Sequence, residues 1–252
     1  MHDDEGKTRN SRLLVAGIGA SAGGLEALLA LFAHLPETDG LTLIILLHSA
    51  PDHEPLLADI LSAKTSLPVT RARAGIPLEC DVVYVATADL IVAMADGRPI
   101  FRKADEPAIH HPLDRLLRSL ADAMGSRAAG VILSGTGSDG TAGIKAIKAA
   151  GGTALIQDPA SAAFGHMPRN ALALGCEDFC LPPAGIAAQL VRLGRETASG
   201  GQVPRIAEEH LLRLFHSLRN ACGCDFTHYK RSTIRRRLTR RLAVSKAESM
   251  EA

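Results

Sequence analysis

Apolar residues recur along most of this chain in two rhythms: short continuous runs, and longer segments with apolar positions three or four apart. The runs at Leu13–Ile18, Leu41–Leu47, Asp81–Ala86, Leu90–Ala95, Gly130–Leu133, Thr153–Ile156 and Asp178–Leu181 predict strands, several of them buried on both faces. Between them, Leu25–Leu35, Glu54–Lys64, Pro112–Met124, Thr141–Ala150, Pro168–Leu174 and Ile186–Leu193 carry helical spacing. Strands alternating with helices predict an α/β fold, a doubly wound and mostly parallel sheet covered on both faces. The exception is Leu90–Ala95, Asp96-Gly97 and Arg98–Phe101, where Asp-Gly between two apolar runs predicts a small antiparallel hairpin.

The same pattern divides the chain. Residues 1–11 are polar and read as a disordered leader, and 12–194 as the α/β domain. A linker is expected over 195–204, where Thr-Ala-Ser-Gly-Gly-Gln precedes a proline. Residues 205–252 read as a short, all-helical part of a further domain, with Ser232–Val244 a strongly basic helix. A length of 252 residues suits one large α/β domain with an appendage.

Charge sharpens this division. The net charge of +1 conceals 11 basic and 5 acidic residues after Pro204, against 17 basic and 22 acidic before it. No apolar run approaches the roughly 18–20 residues of a membrane helix, so no membrane insertion is expected. The polar, acidic N-terminus is no signal peptide, and 5 cysteines without zinc spacing read as reduced thiols, which together predict a cytoplasmic protein. Aromatics make up 3% of the chain and tryptophan is absent, which argues against a stacking platform for single-stranded nucleic acid.

The first strand ends in Gly19-x-Ser21-x-Gly23 and a helical segment begins at once. In that context the pattern reads as a nucleophile elbow, with Ser21 projecting from the carboxyl end of the strand. The rival reading is a dinucleotide loop, Gly-x-Gly-x-x-Gly, but Ala22 stands where its third glycine belongs. Two other predicted strands end in matching chemistry. Leu41–Leu47 is followed by His48, and Gly130–Leu133 by Ser134-Gly-Thr-Gly-Ser-Asp139-Gly140. Parallel strands put all three ends on one edge, where Ser21, His48 and Asp139 make a candidate nucleophile, general base and orienting acid. The N–H of Ala22 and its neighbours, Gly23 first, are candidate oxyanion donors, and Thr136 and Met167 are candidate pocket residues.

Each assignment has a plain structural alternative. His48 is a loop residue after a strand, and Asp139 the N-cap of the helix that starts at Thr141. For the 135–140 loop the alternative is a phosphate cradle, against which the missing P-loop lysine counts. His110-His111 reads as a pocket mouth or a solvated cap, and His166-Met167 as a turn before a helix. His48, Asp52 and His53 have no further ligand at recognisable spacing, so no metal site is expected.

Five motifs in order, Gly17-Ile-Gly-Ala-Ser-Ala-Gly-Gly24, His48 with Pro51, Ser134–Gly140, Gln157-Asp-Pro-Ala-Ser161 and Met167-Pro-Arg169, resemble the CheB-type chemotaxis methylesterases. The resemblance spans about residues 12–193. It implies a doubly wound α/β domain whose triad falls on Ser21, His48 and Asp139, and the activities of a protein-glutamate methylesterase and glutamine deamidase. Residues 206–252, with Asp225-Phe-Thr-His-Tyr-Lys-Arg-Ser-Thr-Ile-Arg-Arg-Arg237, resemble the helical N-terminal domain of CheR-type receptor methyltransferases. The chain thus resembles the front of a methylesterase–methyltransferase fusion. Three positions depart from the esterase pattern: Thr136 where methionine is frequent, Ala22 where a hydroxyl residue is, and His166 where glycine is.

The resemblance implies hydrolysis of glutamyl γ-methyl esters on chemoreceptor cytoplasmic helices, through an acyl-enzyme and without a cofactor. S-adenosylmethionine is expected only for a methyltransferase portion beyond Ala252, and the receiver domain common in these esterases is expected to be absent. The departures keep an alternative open, a non-catalytic receptor-docking or regulatory module. A nucleotide-binding domain ranks behind both. For the basic segment, Arg235, Arg236, Arg237, Arg240 and Arg241 are candidate receptor contacts, ahead of a solvated face and then of nucleic acid.

Overall fold

The computed structural model describes residues 13–47, 54–105, 111–199, 213–217, 219 and 238. The chain falls into two compact units, Met1–Gly200 and Gly201–Ala252. In the second unit the described residues are helical and Phe215 is buried. The arginines at 235, 236, 237, 240 and 241 lie outside the described residues.

The first unit is built on seven parallel strands. These are β1 (Leu14–Ala20), β2 (Leu41–Leu47), β3 (Val69–Arg71), β4 (Val83–Val85), β7 (Ala128–Ile132), β8 (Thr153–Gln157) and β9 (Phe179–Leu181), in the order β3-β4-β2-β1-β7-β8-β9. A separate pair, β5 (Leu90–Ala95) and β6 (Arg98–Lys103), forms the expected antiparallel hairpin. Asp96 and Gly97 take φ of 49° and 74°, the left-handed pair that a type I′ reversal requires. The doubly wound sheet and its hairpin are as the apolar pattern predicts. The short β3 carries one partly buried and two exposed residues, so it gave no apolar run to find.

Successive residues of each strand serve opposite faces. Ala16, Ile18, Leu43, Ile45, Ala129 and Val131 join one core with α1 (Gly24–Phe32), α2 (Glu54–Ser62) and α6 (Pro183–Ala198). Val15, Ile44, Ile132, Ala154 and Ile156 join a second with α3 (Pro112–Met124), α4 (Thr141–Ala149), α5 (His166–Leu172) and the hairpin. Gly17 and Gly19 lie inside β1 on the second face. A Cβ there would stand 2.7 Å from Leu117 Cδ2 or 1.8 Å from Leu113 Cδ2, so these glycines let α3 lie close on the sheet. Gly17-x-Gly19 is therefore a packing device within a strand, which removes the dinucleotide-loop reading.

Among the expected boundaries that move, two bear on the linker and the site. The linker expected from Arg195 starts later, because α6 continues to Ala198. Arg192 Nη1 pairs with Glu196 Oε1 at 2.5 Å one turn on, and Thr197 Oγ1 donates to Leu193 O at 2.8 Å. His166 and Met167, expected in a turn, form the first residues of α5, with Gly165 as its N-cap.

Candidate active site at the carboxyl edge of the sheet

The chain runs from β1 to β2, on to the edge strand β3 and back to β4 between them, then crosses to β7 on the other side of β1 and proceeds to β8 and β9. The order therefore reverses between β1 and β7, and the crevice outside their carboxyl ends is where open parallel sheets bind ligands. Ser21 follows β1, and the 134–140 loop follows β7.

Ser21 sits on a tight turn. Its N–H donates to Ser134 O at 3.0 Å, and its carbonyl accepts the Gly24 N–H at 2.8 Å, where α1 begins. Gly23 has a φ of 65°, and a Cβ there would stand 2.8 Å from Ala163 Cβ and 2.9 Å from Ser134 Oγ. Conformation and space both demand glycine. Ser21, Ala22 and Gly23 are each partly exposed.

Four sequence motifs are stitched together around this turn. The wholly buried Ser134 donates its N–H to Gln157 Oε1 at 2.8 Å, and Gln157 Nε2 donates to Ser161 O at 3.1 Å. Gly135 pairs with the 164–167 segment, donating to Phe164 O at 2.9 Å and accepting the Met167 N–H at 3.0 Å. Asn170 Nδ2 donates to Gly137 O at 2.7 Å. A Cβ on Gly135 would meet Met167 Sδ at 2.5 Å and Ser21 Cβ at 3.1 Å. Met167 thus borders Ser21 through Gly135 and uses its own N–H in the loop pairing, while Thr136 lies exposed on the loop.

Asp139 does not cap the helix after it; the N-cap of α4 is Gly140, without a side-chain bond. Its carboxylate reaches instead to the start of α3, accepting the N–H groups of Leu113 at 3.0 Å and Asp114 at 2.9 Å, and that of Gly140 at 2.8 Å. His111 occupies the N-cap position of α3 with a φ of 56°, its Nδ1 3.8 Å from Asp139 Oδ1. Asp114 accepts the Gly143 N–H at 2.7 Å. Burial pushes its carboxyl above the usual range, and the negative Asp139 beside it adds to the rise.

His111, Asp114 and Asp139 are also the one group among the described residues whose ligand atoms lie within 4.8 Å of one another. Its oxygens accept N–H groups from Leu113, Asp114, Gly140 and Gly143, which is the chemistry of a helix cap.

His48, and with it the His48–Asp52–His53 group and His110, lies outside the described residues. The strand before His48 is well placed: Leu47 is the register partner of Ala20, the residue before Ser21. The structure thus brings together Ser21, Ala22, Gly23, Met167 and the Asp139 loop at one rim. Sequence reasoning missed Ser134 and Gln157 as the ties between motifs; a polar residue directly after a buried strand, opposite a glutamine in the next, was the available signal.

Residues 16–190 match the family described as CheB methylesterase. The chain belongs to that family. Residues 209–252 match the all-alpha domain of CheR methyltransferases. A Paramagnetospirillum magneticum protein named protein-glutamate methylesterase/protein-glutamine glutaminase 3 is 35% identical over 192 residues, covering 75% of this chain and 54% of that protein. An uncharacterized 104.1 kDa protein of Rhodobacter capsulatus is 33% identical over 213 residues, 75% of this chain and 22% of its own length. The crystal structure of the Thermotoga maritima CheB methylesterase catalytic domain superposes with a TM-score of 0.69 at 28% identity, covering 72% of this chain and 98% of that one. The chain therefore spans about half the length of the P. magneticum methylesterase and much less of the R. capsulatus protein. No helix among the described residues is long and apolar enough to cross a membrane.

Proposed function

We propose that this chain hydrolyses glutamyl γ-methyl esters on the cytoplasmic helices of chemoreceptors, and deamidates glutamine side chains there. Ser21 attacks the ester carbonyl while His48 takes its proton and Asp139 orients the imidazole. The tetrahedral oxyanion is met by the N–H groups of Ala22 and Gly23, neither of which bonds another described residue. Methanol leaves with the proton from His48, and water activated by the same ring releases the glutamate. These steps use only groups of the chain, so no cofactor is required; S-adenosylmethionine belongs to CheR-type chemistry.

The observation that carries this reading is the Ser21 turn, held against Ser134 at the edge where the strand order reverses. Relatives named protein-glutamate methylesterase/protein-glutamine glutaminase support it. The test is methanol release from a methylated receptor fragment. We expect wild type to release it and Ser21→Ala to lose several orders of magnitude in rate. Retention of more than a small fraction by Ser21→Ala refutes the assignment.

One observation favours a second reading, a non-catalytic receptor-docking module. Asp139 already accepts three backbone N–H groups, which leaves about one of the roughly four lone-pair sites of a carboxylate for a histidine. A fluorophosphonate separates the two. Labelling of Ser21 that is lost in His48→Ala supports the esterase, and an unlabelled chain supports the docking module.

A further inference from the structure

All four polar groups of Ser134 are engaged, and two of them hold the Ser21 turn. Its carbonyl accepts the Ser21 N–H at 3.0 Å, and its hydroxyl donates to Ala22 O at 2.9 Å. The same hydroxyl accepts the Phe164 N–H at 3.0 Å, and its backbone N–H is bound by Gln157. The residue is wholly buried, so no water substitutes for these partners.

The bond to Ala22 O has a geometric consequence. A trans peptide is planar, with its C=O and N–H directed oppositely. Holding the Ala22 carbonyl toward Ser134 therefore aims the Gly23 N–H away from Ser134, and the Gly24 N–H on Ser21 O fixes the Ala22 N–H in the same manner. Gly23 has the freest backbone in the turn, so without the hydroxyl its peptide plane has no other side-chain restraint among the described residues.

We propose that Ser134 is a positioning residue: its hydroxyl fixes the peptide plane that carries one oxyanion donor, and its carbonyl fixes the nucleophile's own backbone. This rests on the reading of Ser21 as the nucleophile. The hydroxyl makes no contact with the substrate; it acts through Ala22 and Gly23. Because the oxyanion exists only after attack, its loss lowers kcat and leaves KM nearly unchanged.

The experiment compares Ser134→Ala, Ser134→Cys and Thr42→Val on a methylated receptor fragment, with unfolding followed in each. Thr42 is also wholly buried and donates its hydroxyl to Glu79 O, so Thr42→Val loses a buried hydrogen bond away from the turn. Ser134→Cys keeps the side chain's shape with a weak donor, and answers the question should the alanine variant not fold. We expect both Ser134 variants to lose roughly 10- to 100-fold in kcat with KM within about twofold. Thr42→Val keeps kcat within about twofold while losing stability. A Ser134→Cys variant with wild-type kcat, or with a loss no greater than that of Thr42→Val, overturns the proposal. The fluorophosphonate labelling rate of Ser21 reads the same geometry without the receptor ester. If wild type labels but releases no methanol, the methylesterase reading fails, and slower labelling in Ser134→Cys still upholds the positioning role. Equal labelling rates overturn the role alone, and an unlabelled wild type overturns both.

Discussion

Asp139 accepts the backbone N–H of Asp114 at 2.9 Å, so the residue expected to orient a catalytic histidine is also the N-terminal cap of α3. The two roles are compatible in kind. A carboxylate bound by several N–H groups at a helix N-terminus is held in one orientation, and an orienting acid has to be so held. The cap explains why the long loop after β7 holds its shape: Asp139 ties it to α3, and Asn170 ties it to α5. The site is thus assembled from segments more than 100 residues apart in sequence, by backbone and side-chain hydrogen bonds that no single motif displays.

Asp139→Asn separates cap from catalyst. The amide oxygen still accepts one of the α3 N–H groups, but the charge at the helix start and the second acceptor are gone. Stability should fall by about 1–2 kcal/mol, measured by urea unfolding. Methylesterase kcat should fall by at least roughly 100-fold, because an asparagine cannot stabilise the imidazolium. A variant with the stability loss and full kcat would leave Asp139 a cap only.

Asp114 gives a pH dependence of definite sign. Its carboxyl is raised above 3.8, first by burial, then by the charge of Asp139, against the lowering effects of the Gly143 N–H, Arg118 and His111. The folded state therefore holds this proton more tightly than the unfolded chain. Its stabilising contribution is complete below about pH 4, and is lost as the pH rises through the raised value. In Asp114→Asn, whose amide oxygen still accepts the Gly143 N–H, that loss disappears. The difference in Tm, wild type minus variant, should fall as the pH rises from about 4 through the raised value and level off above it. A flat difference contradicts the shift.

What the sequence displays and what it hides follow from the range of each signal. β2, α3 and the first hairpin strand fall where the apolar pattern puts them, because their periodicity is local: Leu41–Leu47, Pro112–Met124 and Leu90–Ala95. The Ser21 turn was legible because Gly23 sits beside the serine it serves. Gly17 and Gly19 were open to misreading, since what requires them is α3, nearly 100 residues later. The partner of the Asp139 carboxylate was hidden for the same reason: a cap on the next helix is a local guess, and the structure uses a distant one. Ser134 showed only as part of a glycine-rich loop, and its four bonds all run to residues outside that loop.

The basic stretch from Arg235 to Arg241 yields a prediction from charge alone. With five arginines in seven residues, attraction to an acidic receptor helix is screened by salt, with a Debye length near 10 Å at 0.1 M and about 3 Å at 1 M. Affinity of the full chain for a receptor fragment should fall as salt rises, and fall less steeply in Arg236→Gln/Arg237→Gln. Calorimetric titration at several salt concentrations measures both slopes, and a salt-independent affinity contradicts the assignment of these residues to receptor binding.

Two glycines of one loop should behave differently, and the contrast tests the crowding around Ser21. Gly137 has open space where a Cβ would go but a φ of 84°, so Gly137→Ala carries backbone strain of roughly 1–2 kcal/mol and leaves the nucleophile alone. A Cβ on Gly135 would overlap Met167 Sδ at 2.5 Å and crowd Ser21 Cβ at 3.1 Å. Met167 is flexible at its sulfur, but its N–H is fixed to Gly135 O, so relief has to come partly from the Ser21 turn. Gly135→Ala should therefore cost about 1–3 kcal/mol and also slow fluorophosphonate labelling of Ser21 by roughly 10-fold or more. Gly137→Ala should label at close to the wild-type rate. Equal labelling in both variants would mean that the loop yields without moving the serine, and that the close approach of Gly135 to Ser21 has no part in holding the nucleophile.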